Sequence, residues 1–310
     1  MRRSVALGLL VAALLPAATA TATENGRILF RRDPPEGHAA FVVIRPSSGL
    51  IERWTTRGVT NYYSLDWSPD GQLLVMSRFN IYRCAEIYVM DARLRDLRRL
   101  TNNEFCDTSP SWSPDGRWIA FASDRKGSNP QVKKRVQHDY NVYVMRATGA
   151  KMRRLTFDPR NESCPDWSPD GRWIAFHAGW GRRADIYVMR ADGTDRHRLT
   201  RAPGADFCPS WSPDGRLIAF TSRRHEEEVG DAAEIYVMRS NGRRETRLTR
   251  NGVEDIDPVW SPDGALLLFA RETRHPRDVD LHLIRPDGSH ERALTSNTAI
   301  DGRYAWRPRT

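Results

Sequence analysis

The chain has 310 residues, of which 39% are hydrophobic and 28% are charged, a balance typical of a soluble globular protein. Its formal net charge is +9, with 48 Lys and Arg residues against 39 Asp and Glu residues. The N-terminal segment described next predicts export. We therefore expect no nucleic-acid partner and only a modest attraction to anionic envelope material.

The first 22 residues have the pattern of a signal peptide. Arg2 and Arg3 provide the positive start, and Val5–Leu15 is an apolar segment too short to span a bilayer as a mature helix. Ala18 and Ala20 fit a small-x-small cleavage site. We expect residues 1–22 to be removed and residues 23–310 to act in the periplasm or outside the cell. No other apolar run is long enough to be a transmembrane segment.

A repeated Trp-Ser-Pro-Asp-Gly motif organises the rest of the chain. Five intact copies begin at Trp67, Trp112, Trp167, Trp211 and Trp260, and a shortened copy begins at Trp306. These Trp residues are 45, 55, 44, 49 and 46 positions apart, which is about the length of a four-stranded propeller blade. Pro favours the second position of a type I turn and Gly accepts positive φ. The motif therefore predicts a tight hairpin between two strands.

Further strand patterns follow each motif. Continuous apolar runs such as Trp173–Phe176 predict strands that are covered on both faces, as they would be between neighbouring blades. Near the N-terminus, Ile28–Phe30 matches a second strand that has no first strand before it. Near the C-terminus, Tyr304–Trp306 matches a first strand that has no second strand after it. We predict an all-β, six-bladed β-propeller of four-stranded antiparallel blades, with its ring closed by pairing these terminal strands.

The repeats resemble those of the TolB family. The segments that carry the resemblance are (Ile/Val)-Tyr-Val-Met, Arg-Leu-Thr and Trp-Ser-Pro-Asp-Gly-Arg-x-Ile-Ala-Phe, and they cover almost the whole of residues 23–310. Similar repeats occur in the propeller domains of prolyl oligopeptidase-type peptidases. The resemblance implies a β-propeller with a protein or peptide partner at its mouth. We accordingly expect a monomeric, non-catalytic binding scaffold of the cell envelope.

A series of acidic residues stands five positions before each later Trp. Its members are Asp107, Glu162, Asp206, Asp255 and Asp301. Equivalent positions of a propeller circle its channel, so one interpretation is a cation site, or a funnel for a basic peptide, at the channel mouth. The other interpretation is a structural acid, repeated in each blade, that caps backbone N–H groups of the crossover. The spacing leaves both open.

The loops opposite the Ser-Pro-Asp-Gly turns vary most and carry basic and aromatic side chains, so we expect the partner to bind there. The candidate binding residues on these loops are Lys133, Lys134, Trp180, Arg182, Arg183, Arg223 and Arg224. For any one charged loop, the alternative is a solvated connection. An acidic centre with a basic rim predicts a partner of mixed charge, whose binding weakens as salt is added.

Four cysteines remain, and export permits disulfides. Cys164 and Cys208 stand at the same position, three residues before the Trp of adjacent blades, while Cys84 and Cys106 belong to loops that flank one blade. We predict the pairs Cys84–Cys106 and Cys164–Cys208. A metal site is not predicted, because no two cysteines have a short x₂ spacing.

Known catalytic motifs are not found in the sequence. It has no Gly-x-Ser-x-Gly, no His-Glu-x-x-His and no Gly-rich phosphate loop, so we expect neither catalysis nor a cofactor. A catalytic set assembled from distant loops would escape such a search. The alternative function is therefore a glycan-binding or glycan-active propeller, which the aromatic Tyr62, Tyr63 and Trp180 near basic loops would suit. His177 is a candidate for a channel-side or interblade position.

Overall fold

The computed structural model describes residues 26–34, 38–47, 51–54, 61–79, 84–125, 139–224, 232–272 and 278–308. The predicted signal peptide at residues 1–22 lies outside these ranges. Almost every described element is a strand. The first three strands are β1 (Ile28–Asp33), β2 (Ala40–Ile44) and β3 (Ile51–Trp54). No helix among the described residues is long and apolar enough to cross a membrane.

Four separate sheets follow, each made of four consecutive antiparallel strands. The first contains β4 (Tyr62–Trp67), β5 (Leu73–Phe79), β6 (Ala85–Asp91) and β7 (Arg98–Arg99). The second contains β8 (Asp107–Trp112), β9 (Trp118–Ser123), β10 (Asn141–Arg146) and β11 (Arg153–Arg154). The third contains β12 (Glu162–Trp167), β13 (Trp173–Ala178), β14 (Asp185–Arg190) and β15 (His197–Arg198), with a 3₁₀ turn at Gly181–Arg183. The fourth contains β16 (Asp206–Trp211), β17 (Leu217–Ser222), β18 (Glu234–Arg239) and β19 (Thr246–Arg247).

The remaining sheet has eight strands and joins the two ends of the described chain. One antiparallel group in it contains β20 (Asp255–Trp260), β21 (Leu267–Glu272), β22 (Val279–Ile284) and β23 (Arg292–Ala293). The other group contains β24 (Ile300–Trp306), β1, β2 and β3. A single described pair, Val279 with Ile300, links the two groups in parallel.

The predicted pairing of the terminal strands is confirmed. In the antiparallel ladder between β1 and β24, Ile28 lies opposite Trp306 and Phe30 lies opposite Tyr304. The indole Nε1 of Trp306 donates a hydrogen bond to the carbonyl oxygen of Gly26 over 2.9 Å. A Cβ atom at Gly26 would lie 2.1 Å from the carbonyl oxygen of Arg307, so only glycine fits where the two ends meet.

The Ser-Pro-Asp-Gly segments form the predicted hairpins. In the copy at residues 168–171, Ser168 Oγ donates to Asp170 Oδ1 over 2.6 Å and accepts from the Trp173 amide over 2.9 Å. The Gly171 amide bonds the Ser168 carbonyl over 2.8 Å, and Gly171 takes a φ of +68°. Ser, Asp and Gly therefore each have a separate role in the turn, because one hydroxyl and one carboxylate close it and the glycine tolerates its positive φ.

The apolar core lies between neighbouring sheets. Phe176 is fully buried and belongs to a cluster that contains Val142 and Val144 from the preceding sheet. Burial of a Phe side chain contributes about 2 to 3 kcal/mol relative to its exposed state, which explains the continuous apolar runs in the middle strands. We call the first strand of each four-stranded group a first strand. Each first strand contacts the first strand of the next group, in the order β4, β8, β12, β16, β20 and β24, and β24 contacts β4 in turn. The chain is thus an all-β propeller with four-stranded antiparallel blades.

Candidate functional site

A central cavity of about 570 Å³ lies inside the ring of first strands. Each first strand carries a β-bulge, where its register with the next strand shifts by one residue. The extra residue takes a left-handed φ of 44° to 56° and always stands three positions before the Trp. We call these six residues the bulge ring; they are Ser64, Ser109, Cys164, Cys208, Asp257 and Arg303, and all line the cavity. Bulges redirect side chains in this way at functional sites.

The bulge ring is chemically uneven around its circumference. Its six residues carry two hydroxyls, two thiols, one carboxyl and one guanidinium. Desolvation raises the pKa of Asp257, while the positive charge of Arg303 acts in the opposite direction. A ligand in the cavity would therefore meet a different donor or acceptor on each side, which favours a defined orientation.

A second layer of polar residues lies two positions closer to the turns. Asp66 Oδ2 accepts a hydrogen bond from the Trp112 amide, and Asp166 Oδ2 accepts one from the Trp211 amide, each over 2.7 Å. Desolvation raises the pKa of Asp66 to about 8 and that of Asp166 to about 7. Within the described residues neither carboxyl makes an ion pair, so both can be protonated near neutral pH.

Aromatic and cationic side chains stand at the other end of the cavity. The rings of Tyr63 and Phe79 meet edge to face with centroids 4.6 Å apart, and the Arg303 guanidinium lies 4.6 Å from the Tyr63 ring centroid. These side chains form what we call the aromatic mouth, comprising Tyr63, Phe79 and Arg303, all of which line the cavity. Such pairs suit flat or charged ligand groups.

The acidic series predicted at the channel mouth lies elsewhere. All five side chains are fully buried, so the structure corrects the interpretation that they contact a partner directly. Each forms an ion pair with an arginine: Asp107 with Arg125, Glu162 with Arg196, Asp206 with Arg224, Asp255 with Arg271, and Asp301 with Arg32. The arginines neutralise these buried carboxylates inside the blades, since a buried charge requires a partner.

Backbone capping of the crossovers comes from a different position. The amides of Asn103 and Asn251 donate to the carboxylates of Glu86 and Glu234 over 2.9 and 2.8 Å. The side-chain amide of Asn103 also donates to Asp107 Oδ2 over 2.8 Å. The burial of the acidic series therefore fits a structural role. The hydrogen bonds that these carboxylates accept come from side chains, however, and not from the backbone of the crossover.

The predicted basic rim divides into three groups. Lys133 and Lys134 lie outside the described residues. Arg182 and Arg183 are exposed on the 3₁₀ turn, next to Trp180, which is 36% exposed. Arg223 pairs with Glu254 over 2.6 Å. Arg224 pairs with buried Asp206 and with Glu245, and its side chain is only 9% exposed, so it is corrected from a binding residue to an internal one.

The four cysteines form two close pairs, as the sequence predicts, but the pairs differ chemically. Cys84 and Cys106 are joined by a disulfide with a Cα–Cα distance of 4.6 Å. The Sγ atoms of Cys164 and Cys208 lie 2.6 Å apart in the bulge ring and are not bonded to each other in this structure. Their proximity fits the predicted pair, and a bond between them stays a prediction. Cys164 and Cys208 lie near His177, which stands beside the cavity wall on β13.

Sequence reasoning did not identify the bulge ring or the buried Asp66 and Asp166. A signal for the ring was present, because Cys164 and Cys208 share a position and Pro follows the extra residue in four strands. The residue types at this position differ from blade to blade, so they give no common motif. Their shared feature is the positive φ, which depends on strand pairing rather than on side-chain type.

Comparison with known proteins identifies the repeat. A family model described as the TolB beta propeller domain matches residues 59–136 and 165–310. An uncharacterized protein of Agrobacterium fabrum is 29% identical over 49% of this chain and 47% of its own length. The uncharacterized peptidase YuxL of Bacillus subtilis is 34% identical over 35% of this chain and 16% of its own length. The crystal structure of TolB from Acinetobacter baumannii superposes with a TM-score of 0.73 at 21% identity, covering 92% of this chain and 67% of that one. The matches thus span less than half of the length of these curated relatives.

Proposed function

Because the chain belongs to the TolB beta-propeller family, we propose that it is a non-catalytic scaffold whose central cavity receives a segment of a protein or peptide partner. We count the eight-stranded sheet as two blades, which gives the propeller six blades. We further propose that residues 1–22 direct export and that the mature chain acts as a monomer in the periplasm or outside the cell. The family match and the ring of first strands support the propeller scaffold, while the export proposal rests on the pattern of residues 1–22.

The observation that carries the binding proposal is the open, layered cavity. Its mouth presents the Tyr63 and Phe79 rings beside the Arg303 guanidinium, and its interior presents hydroxyl, thiol and carboxyl groups. A peptide segment would fit this arrangement with an acidic or aromatic side chain against the mouth. Its backbone N–H groups would then donate hydrogen bonds to Asp66, Asp166 or Asp257. Peptide recognition commonly combines such fixed polar groups with aromatic walls.

The accessible charge at the mouth differs from the mixed charge that the sequence predicted. The buried acidic series is neutralised by arginines, whereas Arg303 is exposed and lies over the Tyr63 ring at the mouth. We therefore propose a partner segment with acidic residues, in place of one with mixed charge. Its binding weakens with added salt, because exposed charges are screened over about 8 to 10 Å at physiological ionic strength.

The test is capture from the native cell envelope with residues 23–310 as bait, using R303S as the informative variant. Ser is the residue that β4 and β8 carry at this position, so the bulge is preserved. Loss of one contacting charge costs about 1 kcal/mol, or about fivefold in binding. The control is R216S, which removes an 85% exposed charge beside a hairpin turn. Equal capture by R303S and the parent protein would refute the proposal.

A glycan-binding or glycan-active propeller is the second candidate. The pair of aromatic rings at Tyr63 and Phe79, with two protonatable carboxyls at Asp66 and Asp166 in one cavity, favours it. Aromatic rings pack against sugar faces, and a carboxyl with a raised pKa can act as a general acid. Turnover of a glycan panel by the purified protein, abolished in D66N, would move the function to this class.

A further inference from the structure

Three potential metal ligands from separate strands meet on one side of the cavity. Cys164 lies on β12, His177 on β13 and Cys208 on β16, and one ligand atom of each lies within 4.8 Å of the others. All three residues are partly buried rather than fully enclosed. The group lies next to the cavity, since both cysteines line it. An ion could therefore enter without unfolding of the blade.

The propeller itself brings these residues together. Cys164 and Cys208 occupy the bulge ring on adjacent first strands, with φ of 49° and 48°, so their side chains leave the ladders in the same way. His177 lies opposite Ser163 in the pairing of β12 with β13, which places it beside Cys164. The proximity thus follows from equivalent positions in neighbouring blades, and sequence spacing does not reveal it.

The chemistry of the three groups points to a thiophilic cation. Two thiolates and one imidazole are ligands of tetrahedral Zn²⁺, which often has three protein ligands and an open fourth position. The buried Nδ1 of His177 has no hydrogen-bond partner in the described part of the chain. A buried polar atom ordinarily has a hydrogen-bond partner, so binding of a cation by this nitrogen would supply the partner that it lacks. Asp257 follows Cys208 in the bulge ring and lines the same cavity.

We propose that Cys164, Cys208 and His177 bind one thiophilic divalent cation, with the fourth position facing the central cavity. Binding replaces the two S–H bonds with two metal–sulfur bonds, and the two protons go to solvent. Two thiolates and Zn²⁺ form a neutral unit, which suits a partly buried place. A cation there would also offer a coordination position to a side chain of a bound ligand.

The site must open slightly to accept the ion. Two Zn–S bonds of about 2.3 Å at a tetrahedral angle separate the sulfurs by about 3.8 Å. The thiol Sγ atoms lie 2.6 Å apart, so they must move apart by about 1 Å. Small side-chain rotations toward the cavity provide this movement, because the cavity volume is about 570 Å³.

The test combines thiol counting with metal titration of the purified, metal-free chain. We expect two titratable thiols per native molecule, because Cys84 and Cys106 are bonded to each other. We expect one equivalent of Zn²⁺ to bind in competition with a chromogenic chelator, with release of up to two protons. Co²⁺ should give a thiolate charge-transfer absorption band, which reports sulfur ligation directly.

The variants separate the site from other metal-binding groups. C164S and C208S place serine where Ser64 and Ser109 stand in other strands, so we expect folding to persist and Zn²⁺ binding to be lost. H177Q should weaken binding at least about tenfold. H282Q is the control, because it removes another histidine, which lies on β22 beside Arg271 and Glu291 and outside the proposed site. Absence of native thiols, which would mean a Cys164–Cys208 disulfide, or binding retained in C164S and C208S, would overturn the proposal.

Discussion

At the scale of single residues, the molecule separates acidic side chains that stabilise blades from acidic side chains that face the cavity. The sequence repeats the first set five positions before each later Trp, whereas Asp66 and Asp166 precede only two of the Trp residues, and neither pattern reveals the surroundings of the side chains. Asp206 is fully buried against Arg224, whereas Asp66 lines the cavity and lacks an ion-pair partner among the described residues. The difference arises because the chain alternates sides along each first strand, and the bulge then shifts that alternation by one residue.

The buried ion pairs predict a stability effect. D206N should lower the free energy of unfolding by about 2 kcal/mol, because it leaves the Arg224 guanidinium beside a neutral amide with Glu245 as its remaining ion-pair partner. The measurement is urea unfolding at neutral pH. In the double variant D206N/R224Q the loss should be smaller than the sum of the single losses, since the two residues are coupled. A D206N protein of parental stability would show that the pair is structurally unimportant.

The cavity carboxyls predict a pH effect. The pKa of Asp66 is raised to about 8 by desolvation, so the folded state retains a proton that the unfolded chain releases near pH 4. This contribution to stability is complete below about pH 4 and is lost as the pH rises through about 8. D66N keeps a hydrogen-bond acceptor for the Trp112 amide but cannot ionise. Its thermal midpoint should therefore fall less than that of the parent between pH 5 and pH 8.5, and equal slopes would contradict the assignment.

At the scale of elements, the hairpins and the apolar middle strands were predictable. Ser168, Asp170 and Gly171 act within five residues of one another, so their pattern is visible in the sequence. The bulges were not predictable, because residues as different as Ser64, Cys208 and Arg303 adopt the same left-handed conformation. Pairing with the neighbouring strand imposes that conformation, and pairing is a property of the folded sheet.

The pairing of β24 with β1 predicts the effect of a truncation. Removal of residues 304–310 deletes Tyr304 and Trp306, both buried against the terminal blade, and leaves β1 with an open edge. Loss of a buried Trp alone costs about 3 to 5 kcal/mol, so the truncated chain should melt at a lower temperature and aggregate. The control is removal of residues 309–310 only. Parental melting of the longer truncation would exclude a stabilising role for the pairing.

At the scale of the whole molecule, six first strands enclose one cavity that is open toward an aromatic mouth. The sequence predicted the propeller and the terminal pairing, because both depend on repeats with a regular period. It assigned partner binding to charged residues that proved to be buried, such as Asp255 and Asp301, because burial depends on how neighbouring blades pack. The thiol and imidazole cluster also arises only from the juxtaposition of blades.

The central claim is that a partner segment enters the cavity through the aromatic mouth. Its most direct test is photo-crosslinking in the native envelope with a crosslinking amino acid at Thr108, which lines the cavity next to the bulge ring. The comparison position is Arg216, beside a hairpin turn and exposed to solvent. We predict that the Thr108 variant crosslinks to one defined peptide segment, that R303S reduces this product, and that the Arg216 variant does not form it. Crosslinks of the same partner from Arg216 alone, with none from Thr108, would contradict binding in the cavity.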